Sequence, residues 1–171
     1  MNDFLELAKS RYSVRRYKAD PVPDEILAKI LDAGHLAPTA CNYQPQRIWV
    51  IRDAALRAAM KEATPHTFDA PVILAVGYDK GISWKNDLMP VQSGETDAAI
   101  VLTHMMLEAW ELGIGSCWVG HFNGEKAAEL LGLPENIVLT ALLPMGYPAE
   151  EAHPAHLHGK FRDAAEIVEY R

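Results

Sequence analysis

The stretch 95–120, ETDAAIVLTHMMLEAWELGIGSCWVG, constrains the fold most. No formal charge occurs over 98–107, and apolar side chains fall on every side of any helix drawn through it (Ile100, Val101, Leu102, Met105, Met106, Leu107, Trp110). Such a helix belongs in a core or a subunit interface, because no face of it suits water. It is too short for a bilayer, which needs about 20 apolar residues. Leu112-Gly113 gives it a glycine C-terminus, and Ile114, Cys117, Trp118 and Val119 then read as a short buried strand ending at Gly120. A central helix running into a glycine-flanked strand lets backbone approach a flat ligand closely.

Before this helix, a helical stretch over 2–10 is expected from Phe4, Leu5, Leu7 and Ala8. Arg11-Tyr12-Ser13-Val14-Arg15-Arg16 follows, with three arginines and a serine hydroxyl in six residues. If extended, positions 11, 13 and 15 share one side and make a compact donor set for an anion; a solvated basic turn is the plainer alternative. Pro23-Asp24 opens a helix whose apolar face is Ile26, Leu27, Ile30 and Leu31 and whose end is expected at Gly34. Residues 37–45 (APTACNYQP) form a loop rich in amides and hydroxyls, suited either to the edge of a heterocycle or to bonding its own backbone. A strand is expected over 47–51, a helix capped by Asp53 over 54–63, and a strand buried on both faces over 70–78 (APVILAVGY). Residues 79–94 read as a loop that could partly cover a site.

After the central helix, Asn123 caps a helix over 124–131 that Gly132 closes, and 137–145 is another apolar strand. His153, His156 and His158 lie in a proline-interrupted loop, better read as solvated than as a metal site, since no carboxylate or cysteine is placed to complete one. Residues 166–170 (EIVEY) are expected to be a terminal strand. Helices alternate with strands, so a mixed α/β class with a central sheet is expected.

At 171 residues one domain can bury a sizeable core. The net charge of −7, without a basic run, argues against nucleic acid as a partner. No secretory signal pattern is legible, and two cysteines without a CxxC pair suit a reducing, cytoplasmic setting. The glycines at 113, 115 and 120 have the wrong spacing for a dinucleotide loop, and neither a phosphate-binding GxxxxGK[ST] nor a GxSxG elbow occurs.

Taken in order, four pieces resemble the nitroreductase family of FMN-dependent oxidoreductases over essentially the whole chain. They are Arg11-x-Ser13-x-Arg15, Pro38-Thr39-x-x-Asn42-x-Gln44-Pro45, Gly113-x-Gly115-Ser116-Cys117-Trp118-Val119-Gly120, and Lys160-x-Arg162. The resemblance implies an α+β fold with a mostly antiparallel central sheet flanked by helices. It also implies an intertwined homodimer whose C-terminal strand, about 166–170, crosses to the partner. FMN would be the cofactor and NADH or NADPH the donor, with a nitroaromatic or quinone-like acceptor sharing the pocket. The residues implied to hold the phosphate and ribityl oxygens are Arg11, Tyr12, Ser13 and Arg15, with Lys160 and Arg162. Pro38, Thr39, Ala40, Asn42 and Gln44 would reach FMN from the neighbouring subunit. Cys117, Trp118, Val119 and Gly120 would lie beside the ring, with a backbone amide near its N5.

Two departures from the family pattern are expected to matter. Gln46 stands where a tryptophan often follows Gln-Pro, and Thr64-Pro65-His66-Thr67 stands where many members carry a lysine or glutamine at the flavin edge. His66 or Lys61 would be the donor there. The short 79–94 loop implies a more open site. No side chain is assigned as nucleophile, because a flavin would carry the chemistry. Dehalogenation, dehydrogenation or flavin fragmentation on the same fold, and a non-catalytic flavin- or metal-binding protein, are the alternatives.

Overall fold

The computed structural model describes residues 3–171. Four strands form one antiparallel sheet in the order β1 (Gln46–Ile51), β2 (Val72–Asp79), β4 (Ile137–Gly146), β3 (Gly115–Ser116). Five helices accompany them: α1 (Phe4–Ser10), α2 (Asp24–His35), α3 (Ala54–Ala59), α4 (Gly94–Glu111) and α5 (Gly124–Leu131). The expected mixed class and antiparallel sheet are present.

The apolar run of β2 is explained by its two covered faces. Val72, Leu74 and Val76 point to the side of α2 and α4, where they join Ile30, Leu102 and Met105. Ile73 and Ala75 point the other way, to Met60, Val119, Ala127 and Leu142 beside α3 and α5. Strand side chains alternate, so a strand covered on both sides has no polar register. Leu102 and Met105 are fully buried, and burial of each contributes about 1.5–3 kcal/mol over exposure.

Several local expectations hold for physical reasons. Asn123 accepts the Lys126 amide at 3.0 Å, and Gly132 closes α5 with φ of 63°. Asp53 accepts the Leu56 amide at 2.8 Å, although α3 is α-helical only to Ala59 and tightens to a 3-10 turn over Met60–Glu62. Gly113, at φ of 77°, follows the end of α4 as expected.

Others need correction. Gly34 does not end its helix: α2 continues to His35, and a Cβ at 34 would lie 2.8 Å from Met105 Cγ. The glycine is there for close helix packing, which sequence periodicity does not separate from a stop signal. The strand expected over 114–120 is shorter, with only Gly115–Ser116 regular and Val119 adding an isolated bridge to Leu142. The central helix is not buried all round. Val101, Leu102 and Met105 are buried, Ile100, Met106, Leu107 and Trp110 are half-buried, and Thr103 and His104 are exposed. The N-terminal helix starts at Phe4, residue 2 lying outside the described residues, and Phe4 and Leu5 are exposed. The terminal strand expected over 166–170 is absent: Ala164–Glu166 form a 3-10 turn, and 167–171 pair with no strand among the described residues.

Candidate functional site

The N-terminal segment is docked edge-on to the strand that follows α4. The Val14 amide donates to the Ser116 carbonyl at 3.0 Å, and Ser13 bridges Ser116 in parallel. Val14 is fully buried, so its neighbours Ser13 and Arg15 are turned to the opposite side, as the alternation of an extended segment requires. Gly115 permits this approach: a Cβ there would meet Val14 Cβ at 2.8 Å. Tyr17 anchors the far end, its single hydroxyl hydrogen within reach of the carbonyls of Val14 (2.6 Å) and Pro144 (3.0 Å). Burial pushes the Tyr17 hydroxyl pKa far up, so it stays a donor.

Past Ser116 the backbone keeps strand-like alternation without regular pairing. Cys117 N donates to Pro144 O at 3.1 Å, and Val119 N to Leu142 O at 2.9 Å. The intervening amides, of Trp118 and Gly120, therefore face the other edge, where no protein acceptor meets them among the described residues. That edge borders a cavity of about 180 Å³ walled by Arg15, His66, Phe68 and residues 117–121. Burial raises the Cys117 thiol pKa against the opposing effect of Arg15, so Cys117 is a protonated packing group rather than a thiolate.

Arg15 also borders an adjoining cleft of about 190 Å³ with Ser13, Arg16, Glu151 and His153. The tail covers this end: Tyr12 Oη donates to Ala152 O at 3.3 Å, and its ring packs edge-on against Trp110 and His158. The chain thus returns to the Arg11–Arg15 segment two residues before Lys160. Lys160 and Arg162 are themselves exposed, and Arg162 Nε is bonded to Glu166 at 2.9 Å. Among the described residues, no group of three or more His, Cys, Asp or Glu side chains is placed to hold a metal ion.

The amide-rich loop lies elsewhere. Gln44 N donates to Thr39 Oγ1 at 3.0 Å and Gln44 Nε2 to Asn42 Oδ1 at 3.1 Å, while Ala40 N donates to the buried Asp97 at the start of α4. Cys41, Asn42 and Gln44 all have positive φ, strained conformations for residues other than glycine. Pro38, Thr39, Ala40, Asn42 and Gln44 border neither the Arg15 cavity nor the cleft beside it.

Two site residues escaped the sequence reading. His121 directly follows the Trp118-Val119-Gly120 run, and that adjacency was its available signal. Phe68, at φ of 53°, left no signal, because its conformation is set by tertiary contacts. His66, singled out from sequence, does line the cavity.

A sequence model described as the Nitroreductase family matches residues 8–66 and 63–147. The chain belongs to the nitroreductase family. A nitroreductase family protein from Clostridium difficile superposes with a TM-score of 0.92 at 38% identity, covering 99% of this chain and 98% of that one. A protein named NADH dehydrogenase from Thermus thermophilus is 34% identical, over 90% of this chain and 91% of its own. A nitroreductase from Desulfovibrio desulfuricans, solved in complex with FMN, matches with a TM-score of 0.83 at 29% identity, covering 100% of this chain and 98% of that one. Across this nitroreductase chain, the Arg11–Arg15 segment and the Cys117–Gly120 run are brought together in one subunit, whereas the loop 38–45 is not joined to them.

Proposed function

We propose that this nitroreductase-family protein accepts electrons from NADH or NADPH on a bound FMN and passes them to an electron-poor acceptor, a nitroaromatic or a quinone, in one shared pocket. The reading is carried by one observation: Arg15 joins two clefts, one bordered by the unpaired amides of Trp118 and Gly120 and the other by Ser13 and Arg16. A flat heterocycle joined to a phosphate needs both kinds of wall, amide donors at the ring edge and forked cationic donors at the anion. The donor chemistry of this chain therefore fits FMN.

Bound FMN would supply the two-electron chemistry, and the protein would supply binding, orientation and charge. Arg15 and Arg11 would offset the phosphate charge, and the Ser13 hydroxyl would donate to it. The amides of Trp118 and Gly120 would hold the ring edge with dipoles already aligned when charge develops. Phe68 excludes water from the side of the cavity it covers.

The complete site belongs to a homodimer. Ligand pockets generally enclose about 300–1,000 Å³, and the cavity beside Arg15 measures about 180 Å³, so one subunit builds part of the wall. The loop 38–45, held away from its own subunit's cavity, is free to complete the partner's. The half-buried apolar face of α4 and the unpaired tail beyond 166 provide the surfaces for that contact, with the tail crossing to the partner.

The test is a visible spectrum of the purified protein, followed by anaerobic NADH or NADPH. A yellow protein that bleaches supports the reading. A protein that remains colourless after incubation with FMN and gel filtration overturns it, and a bound flavin that neither nucleotide reduces points to a non-catalytic flavin carrier.

A further inference from the structure

His66 and His121 meet across the cavity wall, His66 Nε2 lying 3.1 Å from His121 Nδ1. Their rings are 5.3 Å apart between centroids, and Phe68 covers His66 at 5.7 Å. The contact is held from behind. Buried Thr64 donates its hydroxyl to the His121 carbonyl at 2.7 Å and accepts the His66 amide at 3.1 Å. The Asn123 amide donates to Ala63 O at 2.8 Å, a second stitch between the same two segments. One small buried side chain therefore fixes both backbones that carry the imidazoles.

We propose that His66 and His121 together hold one transferable proton on the pocket wall and deliver it to an oxygen of the electron acceptor. This rests on the oxidoreductase reading above. The contact between the two nitrogens accommodates a single hydrogen. With both rings neutral, one nitrogen donates and the other accepts. Adding one proton keeps that bond and places the new N–H at an outer nitrogen. A second proton would set two N–H groups against each other at 3.1 Å, so the contact as built has room for one hydrogen between the two nitrogens.

The cavity wall around the pair is cationic or neutral. No carboxylate borders the cavity, and its fixed charge is the Arg15 cation on the N-terminal segment. The other titratable group there, Cys117, is a neutral thiol. On the segment that carries His66, Lys61 is paired with Asp69 at 2.6 Å, and from α5 Lys126 is shared between Glu62 and Glu129, which leaves one net negative charge among groups that do not border the cavity. No carboxylate in the cavity wall serves the imidazolium as a counter-ion. His121 is exposed and His66 half-buried, which gives a path from solvent inward through the 3.1 Å contact.

The balance for a quinone is complete. Reduction to the hydroquinone takes two electrons and two protons. NADH or NADPH provides two electrons and one proton as a hydride equivalent. The pair provides the other: an imidazolium N–H bond breaks, an O–H bond forms, and the pair returns from cation to neutral until a solvent proton restores it.

The decisive measurement is an NMR titration of both imidazoles in the FMN-free protein. We expect two steps separated by more than about one pH unit, each reported by both rings, and in His121→Gln a single ordinary step at His66. Two independent steps less than a unit apart, each confined to one ring, overturn the proposal. A second readout uses the FMN-loaded enzyme with benzoquinone, and ferricyanide as an acceptor that takes an electron without a proton. In His66→Gln the ratio of benzoquinone to ferricyanide turnover should fall about tenfold or more at pH 7; an unchanged ratio overturns proton delivery. A protein that takes up no FMN would end the oxidoreductase reading, while the titration would still decide whether the pair shares a proton.

Discussion

Asp97 Oδ1 accepts the amide of Ala40 at 2.9 Å from a site only 2 % exposed. The same carboxylate accepts the Ser93 hydroxyl at 2.7 Å on Oδ2 and sits in the first turn of α4, where the helix dipole favours negative charge. The loop expected to reach a partner's flavin is thus fastened to the helix expected to form the interface. Removing the carboxylate takes the acceptor from two half-buried donors. Asp97→Ala should cost about 2–4 kcal/mol, read from urea unfolding, and Asp97→Asn less. A change below 0.5 kcal/mol would show that this anchor is dispensable.

Arg15 is the cation that borders both clefts. Arg15→Ala should weaken FMN binding about 10–100-fold, the range expected for one charged hydrogen-bonding partner, as measured by quenching of flavin fluorescence. Unchanged affinity would remove the phosphate assignment.

Gly115 lets Val14 pack against the strand, since an added Cβ would lie 2.8 Å from Val14 Cβ. Gly115→Ala should lower stability by about 1–3 kcal/mol and lower FMN affinity with it, because the same displacement moves Ser13 and Arg15. Calorimetry and flavin titration on one preparation separate these effects. Lost stability with full affinity would mean that the arginine segment docks independently.

Tyr17 predicts an alkaline limit. Its pKa is raised mainly by burial, so folding favours the protonated hydroxyl. The stability this contributes is fully present below the unfolded-state value, near pH 10, and declines as pH rises above it. Tyr17→Phe should cost about 1 kcal/mol at pH 7 and flatten the fall of denaturation midpoint above pH 10. An equally steep fall in Tyr17→Phe would assign the limit to another group, with the buried Cys117 thiol, also raised by burial, next to test.

The local grammar of this chain was largely readable. Asn123 and Gly132 bracket α5, Asp53 opens α3, and the uncharged run in 70–78 is a strand buried on both faces. These are properties of near neighbours or of a two-residue period. Gly34 misled, because a glycine ending a helix and one accommodating Met105 look alike in sequence. Residues 167–171 pair with no strand of their own chain among the described residues, since alternation states that a segment suits a sheet but not which chain's sheet accepts it. Of the residues that border the cavity, Arg15 and 117–120 are singled out by their order along the chain, whereas His121 and Phe68 are not.

The sequence by itself determined most of the elements and, through the family resemblance, the antiparallel class and two candidate donor sets. Only the tertiary structure decided that Thr64 bonds the backbones of both His66 and His121, that Asp97 holds Ala40, and that the unpaired amides are those of Trp118 and Gly120. Each of those relations joins residues far apart in sequence or depends on which edge of a backbone its neighbour occupies. Local spacing carries neither kind of information, and packing supplies both.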